Sequence, residues 1–242
     1  MSNRIAKIVS IVLHPLLMPT IVFAILLYFV PLAVKPLPDS AFFQILMVIF
    51  FLTYVLPLVS VSLIRLNYVV YFIRVLRLKY VKNMSYNDAI AVMNESEDYS
   101  GEFSAPKSIW MKTKEERVIP FIFITVYYGL CAYLFIAQWK FNDIFGVILV
   151  SITTTIFLVT LITTKWKISA HSAGIAGAFG FIMGVNLKYP DNQLLYPILA
   201  LVVLAGLVMT SRLQLNDHDS KEVYAGALLG FAVSFGAIYF FV

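Results

Sequence analysis

Charged residues are scarce in this chain of 242 residues: Asp, Glu, Lys and Arg make up 13% of it, whereas 61% is hydrophobic. A soluble globular domain carries roughly a quarter charged residues, so the composition excludes an ordinary soluble protein. Cysteine is almost absent too, because Cys131 is the only one. A single cysteine excludes an intramolecular disulfide, and its position in an apolar run indicates a core residue.

The sequence also lacks a continuous basic stripe interleaved with aromatic residues, although its net charge is +5. Such a stripe is typical of nucleic-acid binding, so nucleic acid is not an expected partner. Anionic lipid headgroups or a phosphate group suit the basic residues better. The His, Cys and acidic residues follow no metal-ligand spacing, so we expect no metal and no other cofactor.

What the sequence does contain is long apolar runs. A membrane-spanning helix needs about 20 mostly apolar residues. The predicted fold is therefore an all-α, polytopic transmembrane helix bundle with six or seven spans. Two of the seven apolar segments, 173–187 and 194–210, fall below the usual spanning length. The segments are roughly 8–34, 41–64, 118–137, 144–164, 173–187, 194–210 and 223–242.

The basic residues are distributed unevenly between the two ends of these segments. If every segment spans, the N-terminus and residues 65–117, 165–172 and 211–222 share one face, which then holds 15 of the 18 Lys and Arg residues. Basic connections tend to stay in the cytoplasm. We therefore expect a multi-pass protein of the cell (inner) membrane with this face in the cytoplasm.

The same pattern divides the chain into three regions. Residues 1–64 form N-terminal transmembrane segments, 65–117 form an interfacial helix and a polar loop, and 118–242 form the remaining transmembrane core. Within the middle region, 68–81 mixes aromatic, aliphatic and basic residues, which is typical of a helix lying against headgroups. Residues 83–108 are polar and acidic, which indicates a solvated loop.

The most informative polar cluster lies in residues 211–226, between the last two spans. Arg212 offers a planar fork of donors that suits phosphate oxygens, and His218 can act as a nucleophile or proton carrier near neutral pH. If the last helix begins near His218, Glu222 lies one turn on, where a carboxylate can orient the imidazole. The alternative is an ordinary charged loop that caps a helix.

A second cluster on the same predicted face precedes the segment 173–187. Ser169 can donate a hydroxyl to a phosphate, His171 can protonate a leaving oxygen, and Lys165 and Lys167 add positive charge. The alternative is a basic membrane boundary in which Ser169 or Ser172 is the N-cap of the helix. All three histidines, including His14, are assigned to this face of the membrane.

Together the clusters resemble the motifs of the type-2 phosphatidic acid phosphatase superfamily, the lipid phosphate phosphatases that share a helical fold with vanadium haloperoxidases. The family's third motif, S-R-x5-H-x3-D, is matched by Ser211, Arg212 and His218, with Glu222 in the aspartate position. The second motif, P-S-G-H, corresponds to residues 168–171, which read I-S-A-H. The resemblance extends from about residue 144 to the C-terminus.

The family's first motif, K-x6-R-P, has several partial counterparts. Lys165 or Lys167 can take the lysine position, and Arg117 with Pro120 is another candidate. Lys7 with His14 and Pro15 has the spacing but histidine for arginine, and we interpret His14 and Pro15 as structural residues. The resemblance implies His218 as nucleophile, Glu222 as its orienting partner and His171 as general acid. The phosphate ligands that it implies are Arg212, Ser169, Lys167, Lys165, Ser211 and Arg117.

The resemblance also implies a phosphatase-like helical core in residues 118–242 and a function. The expected reaction is metal-independent hydrolysis of a lipid phosphomonoester or diphosphate through a phosphohistidine, with the lipid phosphate and membrane lipids as partners. Two alternatives remain: a catalytically weakened relative that binds or transports an anionic lipid, and an unrelated channel or structural membrane protein. We interpret the spaced glycines in 174–184 and 226–230 as helix-packing positions.

Overall fold

The structure is a computed structural model that describes residues 1–31, 38–65, 77–80, 82–85, 88, 92, 115–139, 143–190 and 192–242. These residues are helical apart from short turns and include no β-strand, which confirms the predicted all-α class. The helices with described bounds are α1 (Asn3–Val12), α2 (Met18–Phe29), α3 (Phe42–Phe50), α4 (Leu56–Arg65), α5 (Glu115–Tyr133), α6 (Asp143–Thr163), α7 (Ala170–Lys188), α8 (Leu195–Gln214) and α9 (Ser220–Phe241).

Within the described ranges, seven helical stretches are long and apolar enough to cross a membrane, which confirms a multi-pass membrane protein. The two segments expected to be short are full-length helices, since α7 has 19 residues and α8 has 20. The apolar pattern underestimated both because α7 starts before His171 and α8 continues through Arg212. Both polar side chains line a cavity inside the bundle, where they need not face lipid.

The first spanning stretch is interrupted between α1 and α2. Pro15 opens a single 3₁₀ turn, Pro15–Leu17, and the ring nitrogen of His14 caps this turn by accepting a hydrogen bond from the backbone N–H of Leu16. Proline cannot continue the hydrogen-bond ladder of α1, so the last carbonyl groups of α1 lose their helical donors. The interruption therefore presents backbone acceptors to the interior of the bundle.

Helix α7 is the most enclosed of the seven stretches and packs against α9 at very short range. A Cβ atom on Gly230 would collide with the carbonyl of Ala173, and one on Gly226 would collide with the carbonyl of Ser169. Gly180 faces the α9 backbone in the same way. These glycines are packing positions, as expected, because only a residue without Cβ allows the two backbones to approach so closely.

Two sequence predictions concern the segments 68–81 and 83–108, which lie mostly outside the described residues. The interfacial helix at 68–81 lies outside the described residues except for 77–80, which are helical. Most of the polar loop at 83–108 lies outside them as well. The described residues at 83–85 include Asn83 with a positive φ of 50°, a conformation that asparagine tolerates.

Candidate functional site

A cavity of about 390 Å³ opens inside the bundle where several helix ends meet. The N-terminal ends of α5, α7 and α9, the C-terminal end of α8 and the break between α1 and α2 all contribute to this region. At this end the lining is polar, with side chains from widely separated parts of the chain. They are Ser10, His14, Arg117, His171, Arg212 and His218.

His218 is held by a partner on each ring nitrogen. Its Nδ1 lies 2.7 Å from Oε2 of Glu222, and its Nε2 lies 2.9 Å from Nη1 of Arg117. An arginine can only donate, so Nε2 accepts and Nδ1–H donates to the carboxylate. This tautomer leaves the lone pair of the imidazole on Nε2, directed at a cation. The predicted orienting role of Glu222 requires this geometry.

Glu222 is itself fixed by the start of α9. The N-cap residue Asp219 accepts a hydrogen bond from the backbone N–H of Glu222 at 2.8 Å, and Glu222 accepts one from the backbone N–H of Asp219 at 3.3 Å. This reciprocal pair is a capping box. One carboxylate oxygen of Glu222 thus serves both the helix start and His218, so capping and imidazole orientation are coupled.

Arg212 is buried at the end of α8 and aimed by a tight turn. Asn216, with a positive φ of 51°, reverses the chain so that Asp217 returns to Arg212 and forms an ion pair at 2.9 Å. The second terminal nitrogen of Arg212 donates to the hydroxyl of Ser10 at 3.3 Å. Its Nε–H, however, has no hydrogen-bond partner among the described residues although it is buried. A buried, unpartnered N–H of a guanidinium group is costly and suits an anionic ligand.

His171 faces the break in the first span. Its Nε2 lies 3.1 Å from the carbonyl oxygen of Ser10, which can only accept, so Nε2–H is the donor. This carbonyl belongs to the last turn of α1 and has no helical partner. The ring of His14 contacts that of His171 edge to face, with 5.4 Å between the centroids. His14 is therefore structural, as expected, and also part of the cluster.

The hydroxyl groups predicted as phosphate ligands have structural partners. Ser169 is the N-cap of α7, since its Oγ accepts from the backbone N–H of Ser172 at 3.3 Å and from its hydroxyl at 3.0 Å. Ser211 donates to the carbonyl of Val208 and contacts the hydroxyl of Ser10 at 3.1 Å. Both serines are fully buried, and neither lines the cavity.

The two predicted lysines differ in position. Lys167 is half-buried, and its pKa is lowered, first by burial and then by the positive charge of Arg117, with Glu222 acting in the opposite direction. Lys167 therefore lies close enough to the cluster for the charges of Arg117 and Glu222 to shift its pKa. Lys165 is exposed and does not line the cavity. The structure thus brings His218, Glu222, His171, Arg212, Arg117 and Lys167 together and leaves Lys165 outside.

Burial and positive neighbours keep His218 neutral. Burial is the largest cause that lowers its pKa, followed by Arg117, Arg212 and Lys167, and together they bring it from 6.5 to about 2. Among the described residues, the cluster holds three cationic side chains, Arg117, Arg212 and Lys167, and the carboxylates Glu222 and Asp217, while the exposed N-cap Asp219 lies at its edge. The cationic side chains can bind a tetrahedral anion, and the lone pair of the neutral imidazole can then attack the central atom of that anion.

Among the described ranges, no three His, Cys, Asp or Glu side chains are placed to hold one ion. The guanidinium groups of Arg117 and Arg212 that line the cavity suit an oxyanion.

Four residues of this region carry contacts that the sequence interpretation did not assign: Ser10, His14, Asp217 and Asp219. Two of them left a signal in the sequence. Asp219 with Glu222 follows the capping-box spacing, and His14 beside Pro15 is an ionisable residue at a helix break within an apolar run. Ser10 left none, because its partners His171 and Arg212 lie 161 and 202 residues away along the chain. Asp217 left none, because its ion pair with Arg212 depends on the turn at Asn216.

The chain matches no protein-family model, and it has no significant similarity to any curated protein or solved structure.

Proposed function

We propose that this membrane protein is a lipid phosphate or diphosphate phosphatase that acts through a phosphohistidine without a metal. The observation that carries the proposal is the state of His218: its Nδ1–H donates to Glu222, and its Nε2 lone pair faces Arg117. The unpartnered Nε–H of Arg212 lies in the same cluster and supplies a donor for a phosphate oxygen. An imidazole oriented by a carboxylate is the arrangement that activates a histidine nucleophile.

In the proposed reaction, Nε2 of His218 attacks phosphorus while the bond from phosphorus to the leaving oxygen breaks. Once the anionic phosphate is bound, His171 carries a proton on Nδ1 as well as on Nε2; it gives the Nδ1 proton to that oxygen and releases the lipid alcohol or lipid monophosphate. Water then attacks the phosphohistidine, passes a proton back to His171 and releases inorganic phosphate. Arg212, Arg117 and Lys167 stabilise the charge on the equatorial oxygens. Glu222 stabilises the positive imidazole ring that forms in the first step.

The proposed substrate phosphate lies on the cytoplasmic side of the cell membrane. The support is the excess of Lys and Arg on the face that carries the site. Arg117, Lys167 and Arg212 belong to this excess and also to the cluster, but most of the basic residues on that face lie elsewhere, mainly in residues 65–114.

The test is release of inorganic phosphate from lipid phosphates and diphosphates by purified protein in excess chelator. We expect turnover by the wild-type chain, none by His218→Gln, and an acid-labile phosphoprotein in the wild type alone. Vanadate should inhibit, because its trigonal bipyramidal form resembles the transition state, and Arg212→Ala should weaken that inhibition. Full activity in a folded His218→Gln variant would exclude His218 as the nucleophile.

A second function, binding or transport of an anionic lipid without turnover, is favoured by one specific contact. Arg117 donates to Nε2 of His218, the nitrogen that must attack, so the nucleophile is covered until an anion draws Arg117 away. If Arg117 stays in place when the ligand binds, the site holds a phosphate and does not cleave it. Saturable binding of an alkylphosphonate by a protein that hydrolyses none of the phosphates would support this function.

A further inference from the structure

The polar cluster occupies only one end of the cavity. From Arg117 the lining continues along α5 through Phe121 and Ile124 to Tyr128. These residues follow one another at helical spacing, so they form one stripe that runs from the site into the bundle. Eleven residues of α-helix span about 16 Å, which is about half of the hydrocarbon thickness of a bilayer.

Two other walls of the cavity are also lined mainly by apolar residues. On α6, which runs towards the site, the lining residues are Val159, Ile156, Thr155 and Ile152. Met18 and Val22 of α2 and Leu58 of α4 also line the cavity. The walls of this inner part are therefore mainly apolar. They come from α2 and α4, which end at or before residue 65, and from α5 and α6, which begin at or after residue 115.

A further wall is α7, from which Ala173, Gly174, Gly177, Ala178 and the larger Phe181 line the cavity. The volume of about 390 Å³ lies within the roughly 300–1,000 Å³ of ligand-binding pockets. If a methylene group takes roughly the 30 Å³ that a water molecule takes in the liquid, this space holds at most about a dozen carbon atoms, and fewer once the phosphate occupies its polar end.

We infer that the substrate inserts one hydrocarbon chain into this cavity, inside the helix bundle, so that the protein selects single-chain phosphates by length up to about a dozen carbons. The inference rests on the proposed function for the identity of the headgroup. A phosphate held by Arg212 and His218 lies at the polar end of the cavity, and a free phosphate would leave the apolar remainder of the cavity unfilled. A chain that enters this space from water gains up to about 0.8 kcal/mol per buried methylene, which equals about fourfold in affinity.

Binding of n-alkylphosphonates from butyl to hexadecyl to the purified full-length protein tests this inference without relying on turnover. We expect the affinity to rise by up to about fourfold per methylene and to level off near dodecyl. Ile152→Trp should move this plateau to shorter chains while butylphosphonate binds as before. The matched control Val150→Trp lies on the exposed face of the same helix and should leave the series unchanged.

A photoreactive group at the end of a dodecylphosphonate provides a second measurement that needs no variant. The inference expects labelling of α5 and α6 near Tyr128 and Ile152. Labelling only at lipid-facing residues such as Val150, or an affinity that rises steadily through hexadecyl in all three proteins, would place the chain in the bilayer and overturn it. A plateau without hydrolysis of the matching alkyl phosphates would retain the inference and refute the phosphatase.

Discussion

Both ring nitrogens of His218 are engaged, and its two partners have opposite charges. Glu222 fixes the tautomer, whereas Arg117 helps to keep the ring unprotonated. The i, i+4 pairing of His218 with Glu222 was predictable because both residues flank the start of one helix. The contact with Arg117 was not, since 101 residues separate it from His218 and only folding brings α5 to the start of α9.

Glu222→Gln should reduce kcat by about 10²- to 10⁴-fold, because a neutral amide no longer stabilises the charged ring. Glutamine is also acceptable in a capping box, so the fold should persist. The control is Asp219→Asn, which keeps an N-cap acceptor for the backbone N–H of Glu222 and should leave stability and activity nearly unchanged. Unchanged turnover in Glu222→Gln would remove this residue from the mechanism.

His218 should also make the stability of the protein depend on pH. Its pKa is lowered to about 2 in the folded chain, whereas an unfolded histidine titrates near 6.5. As the pH falls below about 6.5, the unfolded chain binds a proton that the folded site refuses, so the free energy of unfolding decreases. Above that pH neither state is protonated and the effect vanishes.

Thermal unfolding in detergent between pH 7.5 and 4.5 measures this effect as the difference between wild type and His218→Gln. We expect the unfolding temperature of the wild type to fall more steeply with acidification. Parallel curves for the two proteins would show that the histidine titrates normally.

At the scale of helices, the pairing of α7 with α9 places the two motif clusters side by side. The backbone N–H of Ser169 donates to the carbonyl of Glu222 at 3.2 Å, directly joining the start of α7 to the first turn of α9. Gly226 and Gly230 permit this approach. Their spacing was visible in the sequence and correctly indicated packing, but the partner helix could not be read from it, because a small-residue stripe fits any close neighbour.

Gly230→Ala should therefore destabilise the protein by about 1–3 kcal/mol, since the new methyl group meets the Ala173 carbonyl and must push α7 away. Activity should fall with stability, because α7 carries His171. Gly236→Ala in the same helix is the matched control: apart from its chain neighbours and its own helix backbone, no atom of the described residues lies within 4 Å of its added Cβ, so alanine should be neutral or slightly stabilising. Equal unfolding temperatures for the two variants would contradict the packing assignment.

At the scale of the whole molecule, the orientation in the membrane determines on which side the proposed substrate phosphate must lie. Lys221 lies at the site end of the bundle, whereas Tyr189 follows the opposite end of α7. With the site in the cytoplasm, a cysteine at Tyr189 in a Cys131→Ala background should react with an impermeant thiol reagent on intact cells. A cysteine at Lys221 should react only after permeabilisation. The reverse pattern would place the site outside.

The sequence by itself determined the all-α membrane class, the seven spanning stretches, and the spacing of Arg212, His218 and Glu222, because hydropathy and short-range spacing are local properties. It did not determine the full length of α7 and α8, since polar residues inside a span look like its end until the cavity that receives them is known. Only the tertiary structure placed Ser10, His14 and Arg117 beside His171 and His218. Those contacts join segments more than 100 residues apart, and they depend on helix packing that no local pattern encodes.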